Sequence, residues 1–133
     1  MPDTIALMAT ISGDGVVRIP GSGGLQLFAI GSANVGVTGT IVVSADTGGV
    51  ALPLTLMVCE TNSGTGACLA PPTPTVTVSY PGGTTKSFAF FAQASGSIAF
   101  DPANNRVFAR LKQAGVLRGA TSAAVCTTPN AGC

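Results

Sequence analysis

The chain contains no histidine and no tryptophan, and it has a single tyrosine. Without histidine there is no Ser-His-Asp or Cys-His arrangement and no imidazole-bound metal. One tyrosine and no tryptophan leave little to stack against bases or sugar rings. Charged residues make up only 8% of the chain, against about 25% in ordinary soluble domains. With a net charge of +1 and scattered basic residues, nucleic-acid binding has no electrostatic footprint. No apolar run approaches the roughly 18 residues of a membrane-spanning helix, so membrane insertion is not expected. The amino-terminal stretch MPDTIALMAT has neither a basic region nor an apolar core of secretory-signal length. For a secreted chain the expectation is then that Met1 is not the native start or that the chain is a piece of a longer precursor.

What is present is apolar and strongly punctuated. Hydrophobic residues are 46% of the chain, which excludes a disordered polymer. A length of 133 residues suits one domain, 1–133, with a real core. The surface must then be covered by Thr, Ser, Asn, Gly and Ala. Scarce charge also lowers the barrier to self-association.

The stretch LPLTLMVCETNSGTGACLAPP, residues 52–72, shows the pattern most clearly. Leu52, Leu54, Leu56 and Val58 alternate with Pro53, Thr55, Met57 and Cys59, the period-two mark of a strand. Residues 60–67 are rich in Thr, Asn, Ser and Gly, which suit a turn. Similar alternation predicts strands at residues 3–11, with Ile5, Leu7, Ala9 and Ile11 on one face, and at 16–19, 38–44 and 75–80. Further strands are predicted at 86–93, 106–113 and 122–127, with a short apolar segment at 97–100. Residues 25–33 are apolar on both faces, which suits a central strand or one at a subunit contact. Phe88, Phe90 and Phe91 are assigned to the core. Turn signals at 12–15, 20–24, 45–49, 81–83 and 101–105 separate these runs, and 114–119 reads as a loop. About eight or nine short strands and no helical period predict an all-β, two-sheet antiparallel β-sandwich. Pro-bearing segments suit exposed edges, so a sandwich is favoured over a closed barrel.

Four cysteines allow three pairings. Cys59 and Cys68 flank one polar loop, and Cys126 and Cys133 bracket the tail. Nearest-neighbour disulfides are expected, with residues 127–133 as a clipped C-terminal tail. Closing a loop of roughly ten residues stabilises a fold by about 2–3 kcal/mol. The alternative is free thiols. The cysteine spacings do not match the close CxxC pairs of zinc sites.

Chemistry is thinly represented. The acids are Asp3, Asp14, Asp46, Glu60 and Asp101, each in a predicted turn or at a terminus. The sequence Asp46-Thr47-Gly48 occurs once and is read as a turn, not as half of an aspartic-protease pair. The glycines of residues 20–24 lack the Gly-Lys-Ser/Thr and the following helix of a phosphate cradle. Asp101, Asn104 and Asn105, with Asp14 elsewhere, are weak calcium candidates without EF-hand spacing, and turn chemistry is the preferred account. Arg110 and Lys112 share a strand face and are read as ordinary solvent-facing residues. No catalytic residue and no cofactor are expected.

Gly13-Asp14-Gly15 with Pro20-Gly21, then SADTGG leading into residues 52–72, then FDPANNRVFARLK and RGATSAAV, resemble a repeat module of large bacterial extracellular proteins. The resemblance covers nearly the whole chain, apart from the tail CTTPNAGC. It implies an Ig-like or fibronectin-like β-sandwich in secreted or surface chains, beside adhesive and sugar-binding domains, and it carries over no catalytic residue. The expectation is a non-catalytic spacer or adhesion module, extracellular or at the cell surface, with protein partners or self-association. A fibre subunit joined by strand addition is the alternative. A carbohydrate-binding sandwich, with Tyr80 as its one tyrosine, is the weakest reading.

Overall fold

The computed structural model describes residues 1–133. Nine strands follow one another: β1 (Thr4–Thr10), β2 (Val16–Pro20), β3 (Leu25–Asn34), β4 (Gly39–Asp46), β5 (Leu54–Thr61), β6 (Thr75–Tyr80), β7 (Thr85–Ala94), β8 (Arg106–Gln113) and β9 (Val116–Thr128). They form a four-stranded sheet, β1-β3-β7-β5, and a five-stranded sheet, β2-β9-β8-β4-β6. The all-β, two-sheet prediction is therefore correct.

One refinement concerns direction. The five-stranded sheet is mixed, because β2 runs parallel to β9, with Val17 opposite Val125 and Ile19 opposite Thr127. The chain leaves the first sheet after β1, turns at residues 11–15 and enters the second sheet beside its last strand. Alternation within a short run does not reveal which distant strand will be its neighbour, so this pairing was not readable beforehand.

The second refinement concerns β9. Residues 116–119 were expected in a loop, yet β9 begins at Val116. Ala114 and Gly115 both have positive φ, 48° and 81°. Two such residues make the tight turn whose twist matches a hairpin, so no longer loop is needed. Residues 97–100 form no strand. Ile98 is nonetheless buried, and its backbone is bonded to Thr127.

Alternation places one set of side chains between the sheets. Phe28 and Phe90 stack there at 5.0 Å, with Phe88, Ile30, Ile41 and Leu111 buried around them. Full burial of one such side chain contributes about 1.5–3 kcal/mol. Phe91, expected in the core, points the other way, because its neighbours Phe90 and Ala92 fill the inward positions.

One end of the interior is polar and closely satisfied. Asn34 is fully buried; its amide donates to the carbonyls of Val37 and Tyr80, and its Oδ1 accepts from Asp3 and Gly36 N–H. Tyr80 is also fully buried, with its hydroxyl 2.8 Å from Ser32 Oγ and accepting the Lys86 N–H. A buried polar group without partners would cost about 1–3 kcal/mol, so these bonds tie the start of β1 to the β3–β4 and β6–β7 connections.

Candidate functional site

The most distinctive surface is the outer face of the four-stranded sheet. Its side chains are set by register. Leu7, Gly31 and Ser87 share one cross-strand row with Thr61; Ala9, Ala29 and Ala89 share the next with Cys59. Leu27 and Phe91 lie beside Met57, and Leu25 and Gln93 beside Thr55. Ile5 faces Ala33 and then Thr85 at the other end. None of these residues is charged. Ile5 is 56% exposed, Leu7 74% and Ile11, just beyond β1, 76%. These are among the larger aliphatic side chains of the molecule, and they face solvent.

The Cys59–Cys68 disulfide shapes this face. Cys59 projects outward from β5 and is buried beneath the loop that it closes. That loop is a hairpin: Asn62 N–H donates to Ala67, Gly66 N–H donates to Asn62, and Leu69 N–H donates to Glu60. Asn62 Oδ1 accepts from Gly64 N–H, stiffening the tip. Ser63 and Gly66 of this tip stand over the sheet. A groove of about 360 Å³ lies between Ser63 and the Ile5–Leu7 ridge, floored by Gly31, Ala33, Thr85 and Ser87. A second of about 280 Å³ continues past Gly66, Ala29 and Ala89 to Ile11 and Leu27.

The opposite outer face has different chemistry. Arg18, Arg106, Arg110 and Lys112 project from β2 and β8, alternating with buried Val17, Ile19, Val107, Ala109 and Leu111. Arg110 clasps Asp46 with Nε–Oδ2 at 2.6 Å and lies over the Phe108 ring. The Arg110 hydrogen bond holds the Asp46 carboxyl below the usual carboxylate range, against a smaller opposing effect of burial. Asp46 also accepts Gly48 N–H at 2.8 Å, which is the turn role expected for the Asp46-Thr47-Gly48 sequence. Arg18 pairs with Asp14 at 2.9 Å. The second disulfide, Cys126–Cys133, lies on this side and folds the tail back over β9. Both nearest-neighbour pairings are present, which fits an oxidising, non-cytoplasmic environment.

The calcium candidates form a turn. Asp101 Oδ2 accepts from Asn104 Nδ2 at 2.9 Å, the Asp101 carbonyl accepts the N–H groups of Asn104 and Asn105, and Asn105 Nδ2 donates to Ala99. Two amide nitrogens, rather than oxygens, are thus aimed within the loop. No three His, Cys, Asp or Glu side chains are grouped so that they could hold a metal ion. Tyr80 is enclosed in the interior, so it offers no ring to a sugar.

The sheet edges differ in access. β5 is flanked by the strand-like segment after the disulfide, where Val58 and Thr73 exchange two backbone bonds. β1 lies so close to β9 that a Cβ at Gly119 would stand 2.5 Å from the Thr4 carbonyl oxygen. β6 ends its sheet with Pro74 and Pro81 on either side.

The outward direction of Ile5, Leu7 and Ile11 was not assigned from sequence. The signal was the two-sided apolar character of residues 25–33: a strand apolar on both faces within a two-layer fold must show one of them to solvent or to a partner.

No protein-family model matches the chain, and no curated protein matches it. Among solved structures, the β-glucosidase of Listeria innocua in complex with gluconolactone overlies it with a TM-score of 0.43 at 8% identity, over 94% of this chain and 16% of that chain. The glucose complex of the same enzyme gives 0.45 at 7% identity, again over 94% of this chain and 16% of that one. The chain thus spans about a sixth of the enzyme's length. Likeness at this level bears on neither activity nor substrate.

Proposed function

We propose that the chain is a non-catalytic interaction module, a spacer or adhesion unit of Ig-like type, in a secreted or cell-surface bacterial protein. The observation that carries this reading is the uncharged outer face of the four-stranded sheet, where Ile5, Leu7, Ile11, Leu25 and Leu27 are exposed. Contiguous exposed apolar surface of this kind marks a contact site. The two disulfides support work outside the cytoplasm, and the sequence resemblance supports the surface setting.

The test is adhesion of beads coated with the chain to alkyl-coated, glycan-coated and uncoated surfaces. Retention is expected on the alkyl surface, lost with Leu7→Asp and kept with Lys112→Asp. Adhesion indifferent to Leu7→Asp, or retention on glycans alone, overturns the reading.

Strand addition along β6 is a second reading. The strand TVTVSY is uncharged and terminates its sheet, which favours it. Pro74 and Pro81 at its ends oppose it, since neither can donate to an added strand. Ordered fibres by negative-stain microscopy, abolished by Thr77→Pro, would support this reading in place of face contact.

A further inference from the structure

The outer face of the four-stranded sheet has relief as well as apolar character. Ile5 and Leu7 on β1, with Ile11 beyond it, form a ridge. Alongside, β3 presents Ala29, Gly31 and Ala33, so the floor there is lower. The disulfide loop makes the far wall through Ser63 and Gly66, and the trough between holds about 360 Å³ and 280 Å³ in its two parts. Ridge and floor are in register: Ile5 opposite Ala33, Leu7 opposite Gly31, Ala9 opposite Ala29.

Resting on the contact-module reading, we infer that this trough receives the β1 ridge of a second copy of the chain. A two-fold axis in the plane of contact, running along the strands between β1 and β3, exchanges the two strands while keeping position along them. Leu7 of each copy then stands over Gly31 of the other, and Ile5 over Ala33. The exposed aliphatic side chains of β1 meet the small floor residues of β3, so this part of the surface is complementary to itself.

Charge favours a like partner here and disfavours it elsewhere. A two-fold through the opposite face would bring Arg106 and Lys112 against their own copies. The one charged residue that lines the trough, Lys86, is paired with Glu60 at 3.0 Å, and a net charge of +1 leaves little overall repulsion between copies. Area sets the strength. Three strand widths at about 4.8 Å and strands of some 25–30 Å give roughly 400 Å² in projection per copy. Twice that is below the ~1,200 Å² at which standard stable complexes begin, and within the range of weak, reversible ones. The pairing is therefore weak in solution and gains from several modules on one chain or surface.

The experiment is sedimentation equilibrium of the full chain from about 1 μM to 1 mM, for the wild type and the variants Leu7→Asp, Gly31→Val and Lys112→Asp. Gly31 is the decisive position: its φ is not in the left-handed region, and an added Cβ meets nothing within 4 Å. Valine there leaves the fold intact and fills the trough, which matched melting temperatures verify. The expected result is a concentration-dependent wild-type dimer, weakened at least about tenfold by Leu7→Asp and by Gly31→Val, and unchanged by Lys112→Asp. A wild type that stays monomeric throughout overturns the proposal, as does a dimer indifferent to Gly31→Val. A monomer whose alkyl adhesion still needs Leu7 overturns self-pairing alone and leaves the contact-module reading standing.

Discussion

The two outer faces of the sandwich are made from the same kind of strand and end up chemically opposite. On the five-stranded sheet, outward positions of β2 and β8 hold Arg18, Arg106, Arg110 and Lys112. On the four-stranded sheet, outward positions of β1 and β3 hold Ile5, Leu7, Leu25, Leu27 and small residues. Lys86, the basic residue of that sheet, is turned away from the face and paired with Glu60 at 3.0 Å. With so few charges available, their collection on one face leaves the other bare. A face kept apolar in water increases the tendency to associate, so the difference points to one face for solvent and one for contact.

The largest effect that can sharpen this comparison lies within one strand. Phe90 and Phe91 are neighbours on opposite faces of β7. Phe90→Ala empties the core and should cost about 3–5 kcal/mol, read by urea denaturation. Phe91→Ala should cost about 1 kcal/mol, as for a surface-side truncation. Equal losses would mean that the outer face is not a surface at all.

Next come the two sulfur clips, one on each face. Replacing Cys59 and Cys68 together by Ala opens a link of sequence separation 9 and should cost about 2–3 kcal/mol. It should also lower the groove wall, so alkyl adhesion falls. The same double replacement at Cys126 and Cys133, of separation 7, should cost about as much stability and leave adhesion unchanged.

A smaller effect tests the charged face. The Asp46 carboxyl titrates lower in the folded chain than when unfolded, chiefly through its hydrogen bond from Arg110. Its contribution is fully present above the unfolded value of 3.8 and is lost as pH falls through the lower folded value. Both side chains are partly exposed, so the pair contributes no more than about 1 kcal/mol. Thermal melts from pH 6 downward should show Asp46→Asn already destabilised at pH 6 and converging on the wild type as pH falls through the lowered folded value. Parallel curves would dismiss the pair as a stabilising feature.

The smallest effect is the most telling for function. Leu7→Asp, at 74% exposure, should change stability by no more than about 0.5 kcal/mol while abolishing adhesion. A large loss of stability would show that Leu7 serves the fold instead.

Much of this architecture was legible in residue order. β6 and β8 begin and end where alternation places them, and the parity of β5, with Val58 inward and Cys59 outward, follows from it as well. The disulfide partners were legible because each pair brackets one short loop. The groove was not, because its walls come from β1 and from a loop more than fifty residues later.

By itself, the order of residues determined that this chain would be strands and turns, that its cysteines would close short local loops, and that histidine-based chemistry was unavailable. These are local matters: a period of two, a glycine or proline at a bend, two thiols a few residues apart. Only the tertiary structure decided that β2 would lie parallel to β9 and that Ile5, Leu7 and Ile11 would face outward. A period of two separates two faces without naming which is inside. When both are apolar, the choice belongs to whichever one the second sheet comes to cover.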